Sequence, residues 1–263
     1  MSNHQQNRSW TKIDGPLFAE RSGSISAPSQ ILLHGFTQTS QSWNRYINLV
    51  NPEQPIIRVD SPGHAGSSSV AADLNSSAHM VVEQCGFGDY IGYSMGARLA
   101  LHIALLHPES VRRLVLISGS PGLRTPAEQI ERQQSDEQLA REISQVGVSQ
   151  FVSKWLSNPM FANLVSTEGD IKDRLRNSVD GLVSSLTMSG TGSQQSLWDR
   201  LSELSMPVLL IVGENDQKFR QINSEMKNLI NSQTEMVIIQ NAGHAVHLEQ
   251  PKQCVSVIAN FLS

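Results

Sequence analysis

A serine placed between two glycines is the feature of this sequence that points most directly to chemistry. Residues 92–96 are Gly-Tyr-Ser-Met-Gly, with a short apolar run before them and a helical pattern after them. This pattern is typical of a nucleophile elbow, a tight strand-to-helix turn in which glycines let the chain pass close to itself. The turn places Ser94 at a helix N-terminus, where free N–H groups favour a developing anion. An ordinary glycine-rich turn would show the same pattern, so other residues must decide.

An acid and a base follow Ser94 in the order that such a site requires. A serine hydroxyl becomes reactive when a base takes its proton and a third group orients that base. Asp216 comes just after the apolar run 208–212, and His244 comes just after the apolar run 236–239. Because the carboxyl ends of parallel strands meet at one edge of a sheet, both side chains are expected near Ser94. The order predicts a catalytic triad of Ser94, Asp216 and His244.

Each of the two later members also has an alternative. Asp216 would serve as an N-cap for the helical pattern that follows it, and Glu214 is its rival as the acid. His244 could be an ordinary loop histidine, and His247 is its rival as the base. Three candidates in order, each at a strand end, arise by chance far less often than any one of them. The triad is therefore the favoured interpretation.

Two backbone N–H groups are predicted to form an oxyanion hole beside the serine. Such a hole uses the N–H of the residue after the nucleophile and one from the loop that follows an earlier strand. Met95 supplies the first group, and the loop that starts with His34 directly after the apolar run 31–33 supplies the second. Within that loop, the expected donor is the N–H of Phe36, and His34 itself is expected to be structural.

Short apolar runs alternate with helical patterns over most of the chain. The runs are continuously apolar and rich in β-branched residues, which is typical of strands buried on both faces of a mainly parallel sheet. They cover residues 31–33, 56–59, 90–91, 114–117, 208–212 and 236–239, and the helical patterns cover 42–49, 74–84, 94–107 and 250–262. This alternation predicts an α/β fold with an open, mostly parallel sheet and helices on both faces.

The alternation stops in the segment from Pro121 to Leu204. The segment contains no strand-like run, but it has helical patterns over residues 126–144 and 148–157. Apolar side chains such as Trp155 make a disordered loop a poor interpretation. We therefore predict a helical cap that covers the sheet edge. The predicted division is a core of residues 1–120 and 205–263 and a cap of residues 121–204.

The composition argues against several classes of function. The net charge is −4 and no Lys/Arg block occurs, so we expect no nucleic-acid partner. No apolar run approaches the ~20 residues that span a bilayer, and residues 1–7 carry no apolar signal-peptide core. We therefore expect a cytoplasmic protein without a membrane partner, as a monomer or a small homo-oligomer. Cys85 and Cys254 are expected to be free thiols, and no metal-ligand spacing is present.

Several short segments in the core and the cap together match the pattern of a known family. They cover residues 92–98, 120–123, 131–132, 185–187, 190–194, 213–219, 242–244, 247 and 249–251. With these segments the chain resembles the α/β-hydrolase superfamily from Ile31 to Leu262, and within it the synthases of menaquinone biosynthesis. Those synthases eliminate pyruvate from a cyclohexene precursor and hydrolyse nothing. The resemblance implies a lyase for a small polycarboxylate that needs no metal or organic cofactor.

Three arginines are candidates for binding the carboxylates of such a substrate. Arg98 lies four residues after the candidate nucleophile, one helical turn further on the same face, and Arg132 and Arg176 lie in the segment expected to cover the site. Arginine forks bind carboxylates in a bidentate manner, although most helix arginines are simply solvated. The resemblance implies that these three arginines bind carboxylates. It also implies that Tyr93 and Trp155 line the pocket.

Two other classes of function stay open. A serine hydrolase, such as a carboxylesterase, a thioesterase or a C–C bond hydrolase, would use the same triad and oxyanion hole. A hydrolase of neutral esters would tolerate the loss of Arg98, whereas the synthase would not. A non-enzymatic binder on the same fold is the third possibility, because a fold does not determine a function, but it would have no need of an intact triad. The roles of Arg124 and His247 also stay open.

Overall fold

A twisted sheet of eight strands forms the centre of the computed structural model, which describes residues 8–24 and 27–263. The strands are β1 (Thr11–Ile13), β2 (Ala19–Ser22), β3 (Ser29–Leu33), β4 (Ile56–Val59), β5 (Gly88–Tyr93), β6 (Val111–Ile117), β7 (Val208–Gly213) and β8 (Thr234–Ile239). Their order across the sheet is β1-β2-β4-β3-β5-β6-β7-β8. Strands β3 to β8 run parallel, whereas β1 with β2 and β2 with β4 are antiparallel pairs. The prediction of a mostly parallel sheet is confirmed.

Helices cover both faces of this sheet, as predicted. They are α1 (Asn44–Ile47), α2 (Leu74–Cys85), α3 (Met95–Leu106), α4 (Pro126–Leu156), α5 (Glu168–Arg174), α6 (Val179–Ser189), α7 (Gln217–Leu229), α8 (Val246–Glu249) and α9 (Pro251–Leu262). Helices α2, α3 and α7 pack on one face, in a core that includes Leu101 and Met226. Helices α1, α8 and α9 pack on the other face with Tyr46 and Ile258. Burying each large apolar side chain stabilises the fold by about 1.5–3 kcal/mol.

The connection from β6 to β7 forms only helices and turns. Helix α4 begins with a capping box, in which the Thr125 side chain and Glu128 each satisfy a free N–H group of the other. It is interrupted at Gly147, whose φ of 75° is non-helical, so the two helical patterns of the sequence lie on either side of this glycine. Helix α4 packs on α6 around Ile143 and Leu182. We keep the name cap for residues 121–204.

Two features differ from the sequence analysis. The short strands β1 and β2 were not predicted, because β1 is mostly exposed, β2 carries two charged residues between buried ends, and neither has a continuous apolar run. The helix expected over residues 42–49 is only the single turn Asn44–Ile47, preceded by a 3₁₀ turn. Within residues 8–24 and 27–263, no helix combines the length and the apolar character that a membrane span requires. The expectation about residues 1–7 lies outside the described part of the chain.

Four loops meet at the carboxyl edge of the sheet. They follow β3, β5, β7 and β8, and β3 lies directly beside β5 in the sheet. In an open sheet of this type, ligands bind beyond the carboxyl ends of the strands. The topology therefore brings the loops of Ser94, Asp216 and His244 to the same edge as the loop that carries Phe36.

A buried histidine in α3 should make folding sensitive to acid. Burial lowers the pKa of His102 to about 4, although its ring hydrogen bond to the Arg98 carbonyl opposes this shift. The unfolded chain, with an ordinary pKa of about 6.5, binds a proton below that pH while the folded chain does not. Stability contributed by neutral His102 is therefore complete above pH 6.5 and is lost as the pH falls towards 4.

We expect His102→Gln to remove this pH dependence. At pH 5, protonation of His102 in the unfolded state costs about 2 kcal/mol of stability, which is about 1.5 pH units at about 1.36 kcal/mol each. Urea unfolding of both proteins at pH 7 and pH 5 measures the effect. The stability advantage of the wild type over the variant should shrink by about that amount at pH 5. An advantage that is equal at both pH values would contradict the assignment.

Candidate active site

Ser94 occupies the turn between β5 and α3 in a strained backbone conformation. Its φ is 51° and its ψ is −106°, outside the regions that a serine prefers. An added Cβ at Gly92 would lie 2.2 Å from the carbonyl oxygen of Gly96, and one at Gly96 would lie 2.1 Å from that of Leu33. Only glycine fits these two positions. The flanking glycines therefore permit the turn that presents the serine hydroxyl at the sheet edge.

The side chains of Ser94, His244 and Asp216 form a continuous chain of hydrogen bonds. The Ser94 hydroxyl oxygen lies 3.0 Å from Nε2 of His244, and Nδ1 of His244 lies 2.7 Å from Oδ2 of Asp216. The His244 side chain is 1% exposed, which shields both bonds from water. With Nδ1–H donating to the carboxylate, Nε2 is left as the acceptor for the serine proton; this tautomer is assigned from the hydrogen bonds. The arrangement can remove a proton from the serine or, through it, from a bound molecule.

The rival acid and the rival base lie elsewhere. The Glu214 carboxylate accepts a hydrogen bond of 2.9 Å from the Asn241 N–H. His247 is fully buried, with its ring centroid 4.8 Å from that of Trp43 and 4.3 Å from that of Tyr93. Burial lowers the pKa of His247 well below its usual range, so this imidazole is neutral. The side chain of Asp216 makes no N-cap hydrogen bond with α7, and its Oδ2 accepts from His244.

The loop after β3 brings Phe36 to the site. The Gly35 N–H donates to Oε1 of Gln38 at 3.0 Å, and the Gln38 N–H donates to the Gly35 carbonyl at 3.1 Å. Thr37 has a φ of 66°, and these features fold the loop back over the end of β3. Phe36 and Met95 both line the cavity that contains Ser94. They are therefore placed to offer the two N–H groups that an oxyanion hole requires.

The cap holds this loop from outside through Asn177, which follows α5. Its Nδ2 donates to the Thr37 carbonyl at 2.7 Å, and its Oδ1 accepts from the Ala65 N–H at 3.0 Å. The Arg174 guanidinium donates to the Thr37 hydroxyl, and the Thr39 hydroxyl donates to the Asp173 carboxylate. We call these contacts the cap clasp. The clasp ties the loop that carries Phe36 to both the cap and the turn after β4.

A cavity of about 540 Å³ lies over Ser94, between the core and the cap. This volume is typical of a site for a small molecule. The apolar part of its lining includes Phe36, Leu139, Trp155, Met160, Leu186 and Phe219. The charged part consists of Arg98, Arg132, Lys218 and Asp216. Such a lining suits a molecule that combines an apolar ring with several negative charges.

Arg98 is a buried cation without a paired anion. It is 8% exposed, and its two terminal nitrogens donate to Oε1 of Gln194 at 3.0 Å and to the Ser189 carbonyl at 2.9 Å. Among the described residues, no carboxylate lies within ion-pair distance of it. Burial lowers the pKa of Arg98 to about 10, and the nearby Arg132 adds to this effect. Arg98 therefore stays charged at neutral pH, and an anion in the cavity would compensate a buried charge.

Arg132 and Trp155 reach the same cavity from α4. Nε of Arg132 donates to Oδ1 of the buried Asp136 at 2.7 Å, which fixes the direction of a side chain that is still 37% exposed. The other Asp136 oxygen accepts from the Gly192 N–H at 3.2 Å, so one carboxylate ties the arginine to the turn after α6. The Trp155 indole Nε1–H is buried and has no acceptor among the described residues. It can donate to a bound molecule.

Arg176, Tyr93 and Arg124 are not brought to this cavity. Arg176 Nη1 donates to the Asp173 carboxylate at 3.2 Å and to the Thr39 hydroxyl at 3.1 Å. Tyr93 is 3% exposed and packs behind the site, with its ring centroid 5.4 Å from that of His244. Arg124 pairs with a surface carboxylate and stacks on an indole. Arg176 and Tyr93 are therefore not among the residues that line this cavity, and their contact with a substrate stays a prediction.

The sequence analysis missed Lys218 and Gln194. Lys218 lines the cavity two residues after Asp216, so its closeness to the acid was a signal that could have found it. Gln194 accepts a hydrogen bond from Arg98 although the two residues are 96 positions apart in the sequence. No local sequence pattern predicts such a contact. The described residues contain no group of three or more His, Cys, Asp or Glu side chains that would hold a metal ion.

The sheet, the strained serine turn and the hydrogen-bonded side chains define the class of this protein. A family profile that describes the alpha/beta hydrolase fold matches residues 31–251. The chain therefore belongs to the α/β-hydrolase superfamily. This confirms the fold that the sequence analysis predicted.

Individual relatives define the class more narrowly. A Bacillus subtilis (strain 168) protein is 38% identical over 96% of this chain and 97% of its own length; it is named provisionally as a 2-succinyl-6-hydroxy-2,4-cyclohexadiene-1-carboxylate synthase. The synthase of the same name from Serratia proteamaculans (strain 568) is 28% identical over 91% of this chain and 95% of its own length. The solved structure of MenH from S. aureus has a TM-score of 0.85 and 28% identity and covers 93% of this chain and 97% of its own. These similarities place the chain in that synthase family.

A more distant structure shares the fold alone. A thermophilic esterase from Thermogutta terrifontis superimposes with a TM-score of 0.78 but is only 20% identical, over 97% of this chain and 98% of its own. The same backbone therefore also occurs in a protein described as an esterase, and the side chains of the cavity must distinguish the two chemistries.

Proposed function

We propose that this enzyme eliminates pyruvate from 2-succinyl-5-enolpyruvyl-6-hydroxy-3-cyclohexene-1-carboxylate to give 2-succinyl-6-hydroxy-2,4-cyclohexadiene-1-carboxylate. The observation that carries the proposal is the buried, unpaired guanidinium of Arg98 in the same cavity as Ser94. The substrate has three carboxylates, and the cavity offers Arg98, Arg132 and Lys218 as cations. The names of the relatives support the same reaction.

Proton transfer begins the proposed reaction. His244, oriented by Asp216, accepts the Ser94 proton, and the serine oxygen removes the ring proton at C2, next to the ketone of the succinyl group. Negative charge then develops on the ketone oxygen, where the N–H groups of Phe36 and Met95 stabilise it. The role of these five residues is to lower the barrier for breaking a C–H bond that is only weakly acidic in water.

Electrons then move around the ring until the leaving group departs. A double bond forms between C2 and C3, the C3–C4 double bond shifts to C4–C5, and the bond from C5 to the enolpyruvyl oxygen breaks. The released enolate of pyruvate takes up one proton at carbon and becomes pyruvate, which balances the proton that Ser94 and His244 removed from C2. No atom is oxidised or reduced, so the step needs no redox partner. The function of the cations is to hold the three carboxylates and to stabilise the leaving group.

A serine hydrolase is the second candidate, and the hydrogen-bonded serine favours it. At 3.0 Å from Nε2 of His244, the Ser94 hydroxyl is equally well placed to attack an ester carbonyl. The oxyanion donors would then stabilise a tetrahedral intermediate. A hydrolase of neutral esters, however, has no use for the buried charge of Arg98.

Parallel assays with two substrates separate the candidates. We expect rapid pyruvate release from the freshly generated cyclohexene precursor and negligible hydrolysis of p-nitrophenyl acetate. The non-enzymatic release of pyruvate, measured without protein, is the control. Rapid ester hydrolysis, together with pyruvate release no faster than this background, would instead establish a hydrolase.

A further inference from the structure

A second cavity of about 460 Å³ lies on the other side of the loop that follows β3. Its lining comes from that loop, from α1 with the turn before it, from α5 and from Leu248. It shares no lining residue with the cavity over Ser94. Its rim includes the exposed residues Gln41, Asn48 and Gly169, so a small molecule can enter from solvent. The volume is large enough for a small ligand.

One cation that lines this cavity has no ion-pair partner among the described residues. Arg45 is paired with Asp170, and Arg176 is paired with Asp173 at 3.2 Å. Arg174 is 2% exposed, and among the described residues no carboxylate lies within 4.0 Å of its guanidinium. The lining contains Arg45 and Arg174 and the carboxylates of Asp170 and Asp173, but both carboxylates pair with other arginines, so Arg174 is the lining cation without an ion-pair partner. A buried cation without a counter-ion is costly unless something compensates it.

Arg174 is also only partly satisfied by hydrogen bonds. Its Nη1 donates to the Thr37 hydroxyl, which leaves the rest of the guanidinium fork available at the cavity. Burial lowers the pKa of Arg174, while the nearby Tyr93 and Asp173 oppose this shift. An arginine keeps its charge in proteins, so the cation persists at neutral pH.

Two further donors at this cavity have no partner. Nε2 of Gln38 is buried without an acceptor, although Oε1 of the same amide accepts from the Gly35 N–H. The Ser42 hydroxyl is buried and unpaired in the same way. Both residues line the cavity with Arg174. Buried hydrogen-bond donors in proteins nearly always have an acceptor. Two buried donors without an acceptor, beside a guanidinium without an ion-pair partner, therefore favour a ligand that brings a negatively charged acceptor.

We propose that this cavity is a binding site for a small monocarboxylate, held by Arg174, Gln38 and Ser42. A carboxylate supplies the two acceptor oxygens and the single negative charge that these groups lack. The carboxylates of Asp170 and Asp173 in the wall disfavour a dianion such as succinate or inorganic phosphate. The site is independent of the reaction proposed for Ser94 and is tested by binding alone.

Carbon-13 NMR titration with [1-¹³C]acetate and [1-¹³C]propanoate tests the proposal on the full chain. Wild-type protein should show saturable binding, and the Ser42→Ala variant should bind a few-fold more weakly, since it loses one neutral hydrogen bond. Arg174→Gln should raise the Kd about tenfold or more, because the charged hydrogen bonds are lost. Arg98→Gln removes the unpaired cation of the other cavity, so any acetate binding there is lost while the Kd of the Arg174 site stays unchanged, and this variant is the matched control.

Three results would overturn the site. They are the absence of saturable binding to the wild type, binding that is lost in Arg98→Gln but kept in Arg174→Gln, and phosphate binding as tight as acetate binding. Far-ultraviolet circular dichroism verifies that each variant is folded. If Arg174→Gln does not fold, the Ser42→Ala variant tests the site in its place. A Kd for that variant equal to the Kd of the wild type would then contradict the proposal. A failure of pyruvate release would not affect these measurements.

Discussion

The Ser94→Ala variant is expected to release pyruvate with a kcat about 10⁴-fold lower than that of the wild type, while its KM changes little. The serine oxygen is the proposed carrier of the ring proton, so its removal eliminates the reacting group and leaves the carboxylate-binding cations in place. The strain at the serine turn does not change, because alanine has the same Cβ. Steady-state kinetics of pyruvate release, with thermal unfolding as a check on folding, measure the effect.

A serine in the same cavity provides the matched control for this variant. Ser135 lines the cavity and is exposed on α4, at a position with no role in the proposed chemistry. Ser135→Ala should keep kcat within about twofold, since exposed substitutions away from such features have small effects. If Ser94→Ala keeps more than a tenth of the wild-type kcat, the serine is not the base, and His244 would have to act directly.

Replacement of Arg98 by methionine is expected to lower kcat/KM for pyruvate release by about 10²- to 10³-fold. Methionine fills much of the arginine volume but removes the cation that, among the described residues lining the Ser94 cavity, is the only buried one. The residual p-nitrophenyl acetate hydrolysis should change far less, because that ester carries no charge. Arg98→Lys should not restore activity, since one ammonium cannot hold both Gln194 and the Ser189 carbonyl while it binds a carboxylate.

An exposed arginine of the cap is the control for this loss of charge. Arg141 is 62% exposed and lies 3.6 Å from Glu137. Arg141→Met removes the same charge from the cap surface and should leave kcat/KM within about twofold. Equal losses in both variants would mean that Arg98 acts through the general field of the protein, and the proposed carboxylate contact would be wrong.

The sequence predicted the parallel sheet because strands that are buried on both faces must be continuously apolar. All residues of β3, β4, β5 and β7 are indeed buried. The hairpin of β1 and β2, which lies at one end of the sheet, was not predicted for the same reason, since neither of its strands has such a run. The proximity of Ser94, Asp216 and His244 followed from topology alone, because each was placed at the carboxyl end of a strand that the structure contains.

The arginines of the cap show where this reasoning ends. Arg174 is the last residue of α5, and Arg176 lies in the turn that follows the helix. The sequence cannot say which of them faces inward until α5 is docked on the loop after β3. The structure buries Arg174 and leaves Arg176 on the surface beside Asp173. In contrast, Arg98 could be placed because α3 starts at the serine turn itself.

The cap clasp has a consequence for how this enzyme behaves between turnovers. Any movement that lifts α5 and α6 from the core must break the hydrogen bonds from Asn177 to Thr37 and from Thr39 to Asp173. The loop that carries the proposed Phe36 donor then keeps its internal hydrogen bonds between Gly35 and Gln38 but loses these bonds to the cap. If Phe36 forms the proposed oxyanion hole, lifting the cap also removes that hole, so an ester that reaches Ser94 in the open enzyme should react slowly.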